Sequence, residues 1–180
     1  MPARPLVEVR CLGGFRLTVG GVEVDCSTTR PKALSLLKLL AVHSGTPVHR
    51  EVLLQALWPD LPWESGIRNL QVTVSRLRLL LGPGVLSRSG ASYGLALEGR
   101  LVSDVREFEQ AAAVGAGAAA ATRGTARGAG DRHATGGTGG AAALEGLRAA
   151  RDWYTGDLLP EDGPAEWVVE ERARLRARAC

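Results

Sequence analysis

The stretch Ile67-Arg-Asn-Leu-Gln-Val-Thr-Val-Ser-Arg-Leu-Arg-Leu-Leu-Leu81 decides the fold. Its apolar residues Ile67, Leu70, Val74, Leu77 and Leu81 recur at intervals of 3, 4, 3 and 4, the spacing of one buried helical face. At about 100° per residue, Val74, Leu77 and Leu81 fall within about 40° of Leu70, so the core side is set. Opposite it lie Arg68, Val72, Ser75 and Arg76, with Asn69 toward one edge and Thr73 and Arg78 on the flanks. Leu79 also points outward and has no part in this pattern. Guanidinium, amide, hydroxyl and one branched apolar side chain are an odd set for a solvated surface and a sensible one for a DNA major groove. There Arg reaches guanine N7 and O6, Asn reaches adenine N6 and N7, and Val touches a thymine methyl. For this helix taken alone, a surface helix with ordinary arginines is an equal alternative.

The neighbouring sequence shifts that balance. Upstream, Pro31 sits in the first turn of a helix that carries Leu34, Leu37, Leu40 and Ala41 and ends at Ser44-Gly45. A short second helix groups Leu53, Ala56 and Leu57 and finishes near Trp58, before Pro59. Gly82-Pro83-Gly84 ends the third helix, and Val85-Leu86 and Tyr93–Leu97 read as strands flanking a polar tip, Ser87–Ser92, that bears Arg88. Ahead of the helices, Leu6–Val24 alternates like a small antiparallel meander with turns at Gly13-Gly14 and Gly20-Gly21. Strands, three helices and a polar hairpin form the α+β winged helix-turn-helix arrangement, in which the third helix enters the major groove and the wing touches phosphates or the minor groove. Lys32 and Arg30 at the start of the first helix are further candidates for phosphate contact beside that helix's N-terminal dipole, with simple solvation as the alternative.

At 180 residues the chain amounts to one domain or two small ones. Residues 1–100 hold 12 Lys/Arg against 7 Asp/Glu, and residues 101–180 hold 10 against 12, so the basic surface belongs to the first half. Cys11, Cys26 and Cys180 form no C-x-x-C pair and read as inert thiols of a reducing cytoplasm. Without an apolar run of roughly 18–20 residues or a signal-peptide order, a soluble cytoplasmic protein with no membrane partner is expected. Beyond Leu101, helical patterning at Asp104–Val114 gives way to Gly115–Gly140, with nine glycines and no aromatic residue. Such a segment buries too little apolar surface to offset its ordering entropy and is expected to be a flexible insertion. Helix resumes from Ala141 to about Thr155. After a Gly156–Pro164 turn, a last helix places Trp167, Val168 and Leu175 on one side. Its Arg172, Arg174, Arg176 and Arg178 read as a solvated face supported by Glu170 and Arg174 at i,i+4. Trp58 and Trp167 read as core.

These residues carry a family resemblance. The meander, Leu57-Trp58-Pro59-Asp60, the string Asn69–Arg78 and the hairpin ending Tyr93-Gly94-Leu95 resemble the OmpR/PhoB-type winged helix of the Streptomyces antibiotic regulatory protein (SARP) family. Asp104-Val105-Arg106-Glu107-Phe108-Glu109, Trp153-Tyr154-Thr155-Gly156-Asp157-Leu158-Leu159-Pro160, Glu166-Trp167 and Glu170-Glu171-Arg172 resemble the start of that family's bacterial transcriptional activator domain. The resemblance implies a winged-helix DNA-binding domain over residues 1–101, then an all-α, tetratricopeptide-like partial domain over 102–180, interrupted by the 115–140 insertion. One or two helical pairs fall short of the roughly three repeats that stack a solenoid core. It further implies an activator that binds promoter DNA at direct repeats as a homodimer, contacts RNA polymerase and switches on secondary-metabolite (antibiotic) genes. Position by position, Val72, Thr73 and Arg76 would approach bases, while Arg68, Asn69, Arg78 and the Arg88 wing would hold the backbone.

Other classes find little support in the sequence. Gly90-Ala91-Ser92-Tyr93-Gly94 satisfies G-x-S-x-G but sits in a hairpin rather than at a strand-to-helix turn, and the one downstream histidine, His133, lies in the glycine-rich stretch. His43 and His49 lack the neighbours of a metal site, and no phosphate-loop motif is present, so neither enzyme chemistry nor a metal or cofactor is expected. The remaining alternative is a protein-interaction module built from a winged helix and a helical tail.

Overall fold

Alternation builds the first sheet. In β1 (Leu6–Arg10), Val7 and Val9 point into the core while Glu8 and Arg10 face out. β2 (Arg16–Val19) runs antiparallel to it, opposing Leu17 to Val9. β3 (Val22–Glu23) returns through Gly20-Gly21, whose φ values of +60° and +83° supply the left-handed conformation that a two-residue hairpin requires. The computed structural model describes residues 5–97, 99–126, 137–164 and 166–179, side chains at 122–126 and 137–139 excepted.

Helix α1 (Pro31–Val42) begins with proline where no intrahelical N–H bond is lost, and it is buried over most of its surface. β4 (Val48–His49) leads into α2 (Arg50–Leu57), capped by the His49 imidazole, whose Nδ1 accepts from the Glu51 N–H at 3.4 Å. α3 (Trp63–Leu81) packs on both earlier helices through Leu70, Val74, Leu77 and Leu81. The wing follows as β5 (Leu86–Ser89) and β6 (Ser92–Leu95), and β4 pairs with β6 to make it three-stranded. Both wing strands reach further into the polar tip than expected, since Gly90 at φ +58° lets the chain reverse within two residues.

β7 (Arg100–Ser103) adds to the first sheet parallel to β1, giving the order β3-β2-β1-β7. Two long helices follow, α4 (Asp104–Ala126) and α5 (Gly137–Trp153), then a 3-10 turn at Pro160–Asp162 and α6 (Glu166–Ala179). The expected flexible insertion is thereby corrected. Residues 115–126 complete α4 and 137–140 open α5, while 127–136, with His133, lie outside the described residues, as does Cys180. Small size explains the helices. A Cβ on Gly146 would stand 2.6 Å from the Gly115 nitrogen and 3.1 Å from the Ala111 carbonyl oxygen, so the two helix backbones touch where side chains would hold them apart.

A single apolar core joins both halves, running from Val7, Leu36 and Leu70 to Phe108, Leu158, Leu159 and Leu175, with Trp58 and Trp167 packed at its edge. Asp104 closes the seam. Its buried carboxylate accepts the Cys11 and Leu12 N–H groups at 2.8 Å each and that of Val105 at 2.8 Å. Burial pushes the Asp104 carboxyl above its usual range, against the lowering effect of those donors.

Candidate nucleic-acid interface

The packing that buries Leu70, Val74 and Leu77 turns the other side of α3 outward. Arg68, Asn69, Ser75 and Arg76 are exposed there, and Val72 keeps 45% of its surface in solvent. Among the described residues, neither Arg68 nor Arg76 has an ion-pair partner, so their guanidinium groups face solvent uncompensated. That leaves two forked donors, an amide, a hydroxyl and an apolar tip on one convex helix. Arg30, with Thr28 and Thr29, lines a shallow cleft shared with Arg76, Leu77 and Leu80, which brings the start of α1 beside the same surface.

Three expected contacts stand differently. Thr73 is only 8% exposed, and its hydroxyl donates to the Asn69 carbonyl at 2.7 Å, so it closes the helix edge and presents no donor to a ligand. Lys32 is exposed, but its ammonium donates to the Leu57 carbonyl and satisfies the C-terminal end of α2. Arg78 donates through Nε to the Leu86 carbonyl at 3.3 Å, which ties α3 to the first wing strand. Arg88 is exposed on the wing, braced by an Nε bond of 2.7 Å to the Gly90 carbonyl and by the Tyr93 ring, 5.8 Å from its guanidinium carbon.

A half-buried arginine and an exposed tryptophan form a contact that the apolar periodicity from Ile67 onward does not signal. Trp63, 48% exposed in the first turn of α3, lies under the Arg50 guanidinium at 5.5 Å. The clue was present in Pro62, which opens α3 four residues earlier than the apolar periodicity does. The serine of G-x-S-x-G, Ser92, sits in β6 of the wing. His43 ends α1, and His49 caps α2.

The second arginine-rich helix behaves in the opposite way, and its expected solvated face is corrected. Arg172 donates to the carbonyls of Leu158 and Gly163 at 2.6 Å each and also to that of Leu159. Arg174 bonds Glu171 at 2.8 Å and Glu109, rather than Glu170. Arg176 grips both carboxylate oxygens of Asp157, and Arg178 reaches Glu109 at 3.2 Å. The Arg176 hydrogen bond holds the Asp157 carboxyl below its usual range. All four side chains are engaged in bonds within the molecule, while Arg176 and Arg178 stay exposed to solvent.

A three-helix core with a three-stranded wing and an outward-facing third helix defines a winged-helix protein of the OmpR/PhoB type. A family model described as the C-terminal domain of transcriptional regulatory proteins matches residues 25–89. The transcriptional regulatory protein EmbR of Mycobacterium bovis and of Mycobacterium tuberculosis is 30% identical over 116 residues, covering 58% of this chain. The chain spans 29% of the length of these relatives. The solved structure of M. tuberculosis EmbR in complex with a low-affinity phosphopeptide superposes over 98% of this chain and 43% of its own, with a TM-score of 0.65 at 23% identity, a likeness of fold. Together these matches support a likeness to SARP-type regulators, with an OmpR/PhoB-type winged helix followed by a helical region. No helix among the described residues is long and apolar enough to cross a membrane.

Proposed function

We propose that the chain is a non-enzymatic, sequence-specific DNA-binding regulator acting in the cytoplasm, with α3 in the major groove of promoter DNA and the wing on the backbone or minor groove. The observation that carries this reading is the exposed set Arg68, Asn69, Val72, Ser75 and Arg76, whose guanidinium groups have no carboxylate partner among the described residues. Val72 and Arg76 approach bases. Arg68, Asn69 and Arg88 hold the backbone, Ser75 donates to either, and Arg78 positions the wing. Residues 1–101 supply the DNA-contacting surface, and residues 102–180 form the tetratricopeptide-like opening of an activator domain. Activation of secondary-metabolite genes, contact with RNA polymerase and pairing of two copies on direct repeats complete the proposal, on the strength of the family resemblance.

Salt dependence tests it. Each phosphate neutralised by Arg or Lys adds about −0.9 to the slope of log K against log salt on duplex DNA. A slope of about −3 or steeper on promoter fragments, with tighter binding to one sequence than to random DNA, is expected. A flat response, or no complex with any promoter fragment, overturns the reading in favour of a protein-interaction module.

A further inference from the structure

Lys38 is a charged residue inside the winged-helix core. It lies in α1, is 3% exposed, and stands among Leu36, Leu37, Leu39 and Leu40, all buried. A buried ammonium is costly unless paired. Its partners are Glu161 Oε1 at 2.9 Å and Asp162 Oδ1 at 2.5 Å, both from the 3-10 turn more than 120 residues downstream. The same Glu161 oxygen accepts the Phe15 N–H at 3.1 Å, and the Phe15 ring centre lies 5.6 Å from the Lys38 nitrogen. Asp162 Oδ2 is buried with no partner, so this carboxylate depends on Lys38 as much as Lys38 depends on it.

The segment leading to this turn is bound to the first sheet along its length. Thr155 Oγ1 donates to the Leu12 carbonyl at 2.8 Å, Gly13 N–H to the Asp157 carbonyl at 2.9 Å, and Leu159 N–H to the Cys11 carbonyl at 2.8 Å. Leu158 and Leu159 are fully buried between these bonds. α1, which carries Lys38, packs directly against α3.

We propose that Thr155–Asp162 is an integral strap of the winged-helix unit, and that Lys38 is the positioning residue through which the helical region holds α1 and hence the DNA-facing α3. A division after residue 101 would leave a buried cation without its counter-charges. The DNA arm of the test rests on the proposed function; the thermal arm does not.

The experiment uses the whole chain in four forms: parent, Lys38→Met, the double variant Glu161→Gln with Asp162→Asn, and all three changes together. Removing both counter-charges leaves Lys38 buried and unpaired, and the melting temperature is expected to fall by about 6–12 °C. Adding Lys38→Met to that background removes the orphaned charge, keeps the packing volume and is expected to recover at least half of the loss. On DNA, the double variant is expected to weaken binding several-fold with the salt slope unchanged, because no phosphate contact is lost, and the triple variant to restore it. A double variant that melts with the parent, or a triple that melts no higher than the double, overturns the strap. A lowered melting temperature with unaltered DNA affinity overturns the positioning role. If the parent binds no DNA, the proposed function falls, while the melting cycle still decides whether the strap belongs to the winged helix.

Discussion

Helices α3 and α6 both carry several arginines, at 68, 76 and 78 in the first and at every second position from 172 to 178 in the other, yet the fold uses them in opposite ways. α3 is anchored by Leu70, Val74, Leu77 and Leu81, each 4% exposed or less, and needs nothing from Arg68 or Arg76 to stay in place. α6 fully buries only Val168 and Leu175, with Trp167 at the core's edge, and its guanidinium groups add ties to α4 and the strap. A helix with a full apolar stripe can leave its polar face for a partner. A helix with a thin one uses that face for its own attachment. The presence of several arginines does not separate the two cases; the width of the apolar stripe does.

The largest effect that could break this contrast is expected at Arg172. Arg172→Ala removes charged donors from three backbone carbonyls and is expected to cost about 2–3 kcal/mol, a fall of roughly 5–10 °C in melting temperature. DNA affinity of the folded protein should stay at the parent value. A variant that melts with the parent would mean that α6 does not depend on the Arg172 bonds to the strap for its attachment. Arg76→Ala should show the converse: about 1–3 kcal/mol lost from specific binding, relaxed sequence preference, and unfolding within about 0.5 kcal/mol of the parent. Equal losses on specific and random DNA would assign Arg76 to phosphate instead of a base.

Acid sharpens the same contrast. Arg176 depresses the Asp157 carboxyl. In Glu161, burial pushes upward, but the Lys38 hydrogen bond and the backbone donors outweigh it, and the folded value ends below the usual 4.5. Groups depressed on folding contribute stability that is present above their unfolded values and is lost as pH falls through the folded ones. Asp104 has the opposite sign: raised by burial, it favours folding most at low pH and loses that contribution as pH rises. Between about pH 5 and pH 3 the α6 and strap attachments should therefore weaken while the Asp104 seam does not. α3, with no carboxylate among the described residues paired to Arg68 or Arg76, has no such acid-sensitive attachment there. Hydrogen-exchange protection factors should fall in α6 before α3 on acidification; loss in the reverse order would show that α6 is not held by its ion pairs.

How far the sequence could be read follows from the range of each signal. The apolar stripe of α3 is local, so Leu70, Val74, Leu77 and Leu81 named the buried face and, by difference, the exposed Arg68, Asn69, Val72, Ser75 and Arg76. β4 and β7 are two and four residues long, and their partners lie more than 40 residues away in β6 and more than 90 away in β1. Pairing of that kind leaves no periodicity to find. Read locally, the glycines of 115–140 signal only an entropic cost, whereas Gly115 serves with Gly146 as a contact between two helices. The partners of Arg172, Arg174, Arg176 and Arg178 come from the strap, α4 and one neighbour within α6, and only the folded chain brings most of them together.

Thr73 is the finest test of where the buried side of α3 ends. It stands between Val72 and Val74 in sequence, one exposed and the other 3% exposed, and its hydroxyl is turned back onto the Asn69 carbonyl. Thr73→Val keeps the shape and removes only that local bond. Because the carbonyl retains its helical environment, the expected cost is under about 1 kcal/mol in stability. DNA affinity and sequence preference should not move, whereas Val72→Ala on the exposed side should lose preference at a thymine-bearing position. A Thr73→Val variant that melts normally but binds specific DNA tenfold more weakly would place the hydroxyl on a base or phosphate. α3 would then have to meet the groove along its Asn69–Thr73 edge rather than along the Arg68–Val72–Arg76 face, and the boundary between the two sides of the helix would shift by one residue.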